Sequence, residues 1–211
     1  MVQTALFDVD GTLLDSTKFI WHAFEKTLRT HDGPIITWEN LRVHIGRPLR
    51  EIYRDIAPRH DANILAATHD DLQKNMAHLS ERFPHVLETL QTLSGAGIKL
   101  AAVSNRSGNV HDTLAHNNID HFFDAIITSD DVVNLKPHPE SLYKALELLD
   151  ADTAHSVIVG DSPADIEAGK RANLETIGVL YGFHGDVLRT SNPDHVVSKF
   201  RDIVPIILRD K

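Results

Sequence analysis

The sequence predicts an α/β fold: a doubly wound parallel sheet, Rossmann-like, with an α-helical insertion near its N-terminus. Three observations lead there. Short apolar runs are hydrophobic on both faces, helical patterns alternate with them, and in one interval the alternation stops. A parallel sheet covered by helices on both sides buries its strands completely, so such strands read as near-continuous apolar runs.

Gln3 to Asp8 reads as the first strand, ending in FDVDGTLLDS, Phe7 to Ser16. From about Ser16 to about Pro84 the pattern is nearly all helical, with breaks at Asp32-Gly33-Pro34, Gly46-Arg47-Pro48 and Pro58. The expected division is a core of residues 1–15 and 85–211 and an inserted helical domain of residues 16–84. After it, strands are expected over Ile98 to Ser104, Ala125 to Ser129, Ser156 to Asp161 and Glu175 to Leu180. Helices are expected near His85 to Ser94, Val110 to Asn117, Glu140 to Leu149 and Pro163 to Ala172.

Composition fits one domain carrying a smaller one. At 211 residues and 42% hydrophobic, the chain can bury a substantial core. Its 21 Lys plus Arg against 30 Asp plus Glu give a net charge of −9, which argues against a nucleic acid polymer as partner while leaving room for a small anion held by local cations. Having no cysteine excludes disulfides, thiolate metal sites and thiol nucleophiles. The longest apolar runs are strand-sized and no basic segment leads an apolar one at the N-terminus, so a cytoplasmic protein without a membrane partner is expected, as a monomer or homodimer.

Polar residues stand where the strands end. Asp8 ends the first strand, Ser104 the second in VSNRS and Asp161 the fourth in VIVGDSPADI, while Lys136 lies in LKPHPE after the third. In an open parallel sheet the carboxyl ends of neighbouring strands line one crevice, so these groups can converge. With Asp10, three carboxylates, a hydroxyl and a lysine suit a hard divalent cation, Mg²⁺, holding a phosphate.

Each residue has a plainer reading alone. Asp8 and Asp10 could decorate a turn before Gly11, Ser104 could cap a helix, and Lys136 could be a solvated charge. Ser162, Pro163 and Asp165 read as N-cap, first helical residue and capping-box acid. What outweighs these readings is their conjunction on one sheet edge.

With DVDGTLLDS, Ser104, Lys136 in LKPHPE and GDSPADIEAGKRAN, the chain resembles the haloacid dehalogenase superfamily over nearly its whole length. Within it, the likeness is to Mg²⁺-dependent phosphatases with a helical cap: phosphoglycolate phosphatases, pyrophosphatases and sugar-phosphate phosphatases. The resemblance implies that Asp8 attacks phosphorus and that Asp10 is the general acid and base, the two sharing a side as strand residues i and i+2 do. It implies Mg²⁺ held by the Asp8 carboxylate, the Asp10 carbonyl and the Asp161 carboxylate, with Asp165 as ligand or support. Lys136 would neutralise Asp8 and the phosphoryl oxygens, and Ser104 and the Asn105 amide would donate to them. Thr12 is expected to hold Asp10 in place, and Asp15 and Ser16 to belong to the hinge without a catalytic role. Arg106 stands where relatives often carry lysine, and Asn173 where many have glycine, a left-handed position that Asn tolerates.

Asp10 argues against carbon–halogen cleavage, for which the family lacks that residue. A phosphomutase or a silent binding protein on the same fold stays open. In the cap, IGRPLRE offers Arg47 and Arg50 to the substrate, against the alternative that they pair with Glu51 and Asp55. Phe19 to Phe24 is expected to be cap core. No histidine is assigned to metal, and His138, the one placed near the site, is expected to be a loop residue.

Overall fold

Strand β1 (Thr4–Phe7) is buried along its whole length in the computed structural model, which describes residues 1–209. It pairs in parallel with β4 (Lys99–Val103) on one side and β6 (Ser156–Gly160) on the other. Beyond these lie β5 (Ala125–Ile127) next to β4, and β7 (Glu175–Val179) then β8 (His195–Val197) next to β6. The strand order is therefore β5-β4-β1-β6-β7-β8, all parallel.

Side-chain alternation splits the interior into two clusters. Ala5, Phe7, Leu100, Ala102, Val157 and Val159 meet Val86, Leu90 and Leu93 of α5 (Val86–Gly95) and Val110 and Leu114 of α6 (Val110–His116) on one face. Leu6, Ala101, Val103 and Ile158 meet Leu142 and Ala145 of α7 (Glu140–Leu148) and Ala168 of α8 (Pro163–Arg171) on the other. That is the two-residue period of strands covered on both faces. Asn173 closes α8 with φ 56°, the left-handed conformation expected of it.

Between β1 and β4 the chain forms α1 (Thr17–Thr30), α2 (Trp38–Arg42), α3 (Leu49–Ile56) and α4 (Ala62–Gln73). Phe19, Ile20, Phe24, Leu28, Leu41, Ile52, Tyr53 and Leu65 make a third apolar cluster, which Phe183 from beyond β7 joins. Both ends of this insertion pass through one two-stranded ribbon, β2 (Leu14–Asp15) antiparallel to β3 (Glu81–Arg82). The sequence gives no sign of β2, β3 or β8. Two or three residues are too few to show a period, and β8 is an edge strand after Asn192-Pro193-Asp194, which reads as a turn. Among the described residues, no helix is long and apolar enough to cross a membrane.

From β1 the chain builds outward through β4 and β5, then crosses back to build β6, β7 and β8 on the other side. The reversal opens a crevice at the carboxyl end of β1. Asp8 is the first residue beyond that end.

Candidate active site

Asp8, Ser104, Lys136, Asp161 and Asp165 all line one cleft of about 420 Å³ between the sheet edge and the insertion. Lys136, the presumed surface charge of the plainer reading, is buried, and its Nζ lies 2.8 Å from Asp8 Oδ1, 2.8 Å from Asp165 Oδ1 and 2.8 Å from the Val103 carbonyl. Two carboxylates hold its pKa above the ordinary lysine value against the opposing cost of burial.

Asp165 makes a different contact with each oxygen. Oδ2 accepts from the Ser162 backbone N–H (3.1 Å) and hydroxyl (2.6 Å), completing the capping box that starts α8. Oδ1 is buried, faces Lys136 and has no properly angled hydrogen bond. One oxygen from each of Asp8, Asp161 and Asp165 lies within 4.8 Å of the others. Burial, then repulsion from Asp165 and Asp161, pushes the Asp8 pKa well up despite Lys136, and burial raises that of Asp161. Three buried carboxylates against one ammonium, with an oxygen to spare, are a donor set that fits a hard divalent cation.

Asp161 is fixed from a segment that the sequence reading passed over. Its Oδ2 accepts from the Phe183 backbone N–H at 2.6 Å, and His184 Nδ1 lies 3.8 Å away. Tyr181 donates to the Thr12 carbonyl at 2.7 Å, and Arg42 of the insertion donates to the Phe183 carbonyl at 3.1 Å. A Cβ on Gly182 would fall 2.3 Å from the Asp161 Cβ, and one on Gly11, at φ 98°, 2.5 Å from Asp161 Oδ2, so only glycine fits at either position. The histidine beside the cluster is thus His184; His138 is a half-exposed loop residue near Glu140. Glycine and aromatic residues after a last buried strand were the available signal in YGFH.

Asp10 lines the same cleft, but Thr12 does not hold it. The Thr12 hydroxyl is buried without a partner, whereas Ser16 Oγ donates to Asp10 Oδ1 at 2.5 Å and Arg106 Nε stands 3.3 Å from Asp10 Oδ2. Ser16, expected only in the hinge, therefore positions the carboxylate. Ser104 Oγ accepts from the Arg106 backbone N–H at 3.1 Å, a local turn that leaves its proton free to donate. The Asn105 side chain is committed elsewhere: Nδ2 donates to the carbonyls of Gly46 and Lys136, both at 2.8 Å, and Oδ1 accepts from the Lys136 N–H at 2.9 Å. Any contact from Asn105 to a phosphoryl group would have to come from its backbone N–H.

Arg47 takes the plainer of its readings. Its guanidinium bonds Asp55 at 2.7 Å and Glu51 at 3.4 Å, and its pKa is raised first by Asp55. Arg50 lines the cleft and is exposed. Phe19, Ile20, Ala23 and Phe24 are buried in the insertion as expected, and the first, second and fourth also form its cleft wall.

The sequence and fold match known proteins over almost their full lengths. The chain is 33% identical over 208 residues to pyrophosphatase PpaX of Oceanobacillus iheyensis, covering 98% of this chain and 97% of that protein. It is 33% identical over 210 residues to pyrophosphatase PpaX of Bacillus mycoides, covering 99% and 98%. A predicted phosphoglycolate phosphatase from Haemophilus somnus superposes with a TM-score of 0.89 at 25% identity, covering 97% of each chain. A haloacid dehalogenase-like hydrolase from Bacteroides fragilis superposes with a TM-score of 0.89 at 27% identity, covering 97% of this chain and all of that one. The model of the haloacid dehalogenase-like hydrolases matches residues 5–179, which span every strand-end group described above, and the chain belongs to that family.

Proposed function

We propose that this hydrolase is a Mg²⁺-dependent phosphatase acting on a small phosphorylated metabolite, with Asp8 as nucleophile and Asp10 as general acid and base. The observation that carries the reading is the Lys136 ammonium 2.8 Å from Asp8 Oδ1, at the mouth of the sheet crevice beside Asp161 and Asp165. The names of the relatives, pyrophosphatase and phosphoglycolate phosphatase, support it. In this reading residues 16–84 act as a cap over a core of residues 1–15 and 85–211.

An Asp8 oxygen attacks phosphorus while the bond to the leaving oxygen breaks and that oxygen takes the proton of Asp10. Asp10 then removes a proton from water, the water oxygen attacks the aspartyl-phosphate, and the Asp8–phosphorus bond breaks to release phosphate and restore the carboxylate. Lys136 opposes the rise that burial imposes on the Asp8 pKa and neutralises charge on the phosphoryl oxygens, towards which Ser104 can donate. The cation, held by Asp8, Asp161 and the Asp10 carbonyl with Asp165 beside them, would supply charge neutralisation and polarise the phosphoryl group.

The test is phosphate release from a panel of phosphomonoesters and pyrophosphate, with Mg²⁺ and with chelator, for wild type and Asp8→Asn. Metal-dependent release lost in Asp8→Asn is expected. Release that survives chelation would overturn the reading, and conversion of substrate to an isomer without free phosphate would make the protein a mutase.

A further inference from the structure

Arg106 has more hydrogen-bonding capacity than the protein uses. Its side chain is 9% exposed, yet Nε, Nη1 and Nη2 are all buried without a hydrogen-bond partner. A guanidinium presents five donors in a plane and cannot lose its charge, so leaving them idle in a closed site is costly. Asp10 and Asp70 of the cleft already have other donors, as does Asp130, which accepts from the Gly108 N–H at 3.0 Å. Asp10 Oδ1 accepts from Ser16, and its Oδ2 lies near Nε without hydrogen-bond alignment. Asp70 accepts from Ser107 at 2.8 Å and from Gln73 at 2.9 Å. His69 cannot serve as acceptor through Nδ1, which is bonded to the Tyr53 hydroxyl at 2.8 Å.

The guanidinium is nonetheless well positioned. Its carbon lies 4.5 Å from the centre of the Phe19 ring, which supports one flat face and leaves the in-plane N–H directions for a ligand. Both residues line the cleft. Lys136 reaches Asp8, where the transferred phosphoryl group belongs, and Ser104 lines the same cleft; Arg106 stands beside Asp10, the residue that meets the leaving oxygen in the proposed reaction.

We propose that Arg106 binds an anionic group carried by the leaving group, so that the preferred substrates bear a second phosphate or a carboxylate next to the scissile bond, as pyrophosphate and phosphoglycolate do, in preference to phosphate esters of uncharged alcohols. The inference rests on the phosphatase reading and assigns its substrate class. A planar fork matches either anion in bidentate fashion.

The test compares 2-phosphoglycolate with 2-hydroxyethyl phosphate, which has the same length and no carboxylate. In Arg106→Gln the ratio of their kcat/KM values should fall about a hundredfold, mostly through KM of the charged substrate, and in Arg106→Lys about tenfold. An equal loss on both substrates would overturn the proposal and leave Arg106 as a support for Asp10. Calorimetric binding of pyrophosphate to Asp8→Asn protein with Mg²⁺, with and without Arg106→Gln, decides the matter independently of turnover. Affinity weakened at least tenfold by Arg106→Gln supports the assignment, and unchanged affinity overturns it. A wild type that releases no phosphate from any substrate would refute the phosphatase reading, while the binding comparison would still decide Arg106.

Discussion

Ser16 Oγ lies 2.5 Å from Asp10 Oδ1, tying the residue at the mouth of the insertion to the carboxylate assigned to proton transfer. Thr12, closer in sequence, makes no side-chain hydrogen bond. Ser16→Ala should therefore lower kcat about tenfold on every substrate while Thr12→Val stays within about twofold. Steady-state kinetics of the two variants checks this, and equal effects would reject Ser16 as the positioning residue.

Lys136 compensates two buried carboxylates, Asp8 and Asp165. Lys136→Met should destabilise the protein by about 3 kcal/mol in denaturant unfolding at neutral pH, because it strands both charges. It should also lower kcat by at least about a hundredfold. A variant as stable as wild type would show that the carboxylates are already protonated in the folded protein.

Cation binding should be visible without turnover. A cation at one hundred times its Kd stabilises a folded protein by about 2.7 kcal/mol, so saturating Mg²⁺ should raise the melting temperature of wild type. The rise should vanish in Asp161→Asn, which removes one of the three clustered carboxylates. A rise that persists undiminished would place the cation elsewhere.

His69 is buried against Phe24 and bonded to Tyr53, and burial, then the Arg106 charge, pulls its pKa down to about 3. The folded protein keeps this ring neutral while the unfolded chain protonates it near pH 6.5. Its contribution is therefore complete above pH 6.5 and is lost as pH falls towards 3, at up to about 1.4 kcal/mol per pH unit. Comparing denaturant unfolding of wild type and His69→Gln at pH 7, 6 and 5 should show the steeper acid loss in wild type. Parallel pH profiles would rule the histidine out.

The sheet and the polar strand ends were legible because each leaves a local mark. Several strands are apolar on both faces, and Asp8, Ser104 and Asp161 each follow directly on a strand. The helix start at Ser162-Pro163-Ala164-Asp165 showed for the same reason, its cap being written in four consecutive residues. What stayed hidden depends on pairing between distant residues. Nothing in IGRPLRE decides whether Arg47 reaches Asp55 or the cleft. Asn105 reads as a phosphate donor until Gly46 and Lys136 are seen to take its side chain. Phe183 and His184 meet Asp161 only through the path of the loop after β7, which no short motif specifies.

The ribbon of β2 and β3 brings the two ends of the insertion side by side. Asp15 stands opposite Glu81, so the chain leaves the sheet domain and returns to it across a single strand spacing, about 5 Å. A two-residue turn could close that gap in place of all the residues between. Any other helical piece whose ends meet an antiparallel pair could be seated there without breaking the pairing of β1 with β4, but it would have to replace the Ser16 bond to Asp10 and the Arg42 bond to the Phe183 segment that holds Asp161. Gene-level exchange of this segment alone would thus redraw the cleft wall that Phe19 helps to form, together with the hold that Ser16 keeps on Asp10.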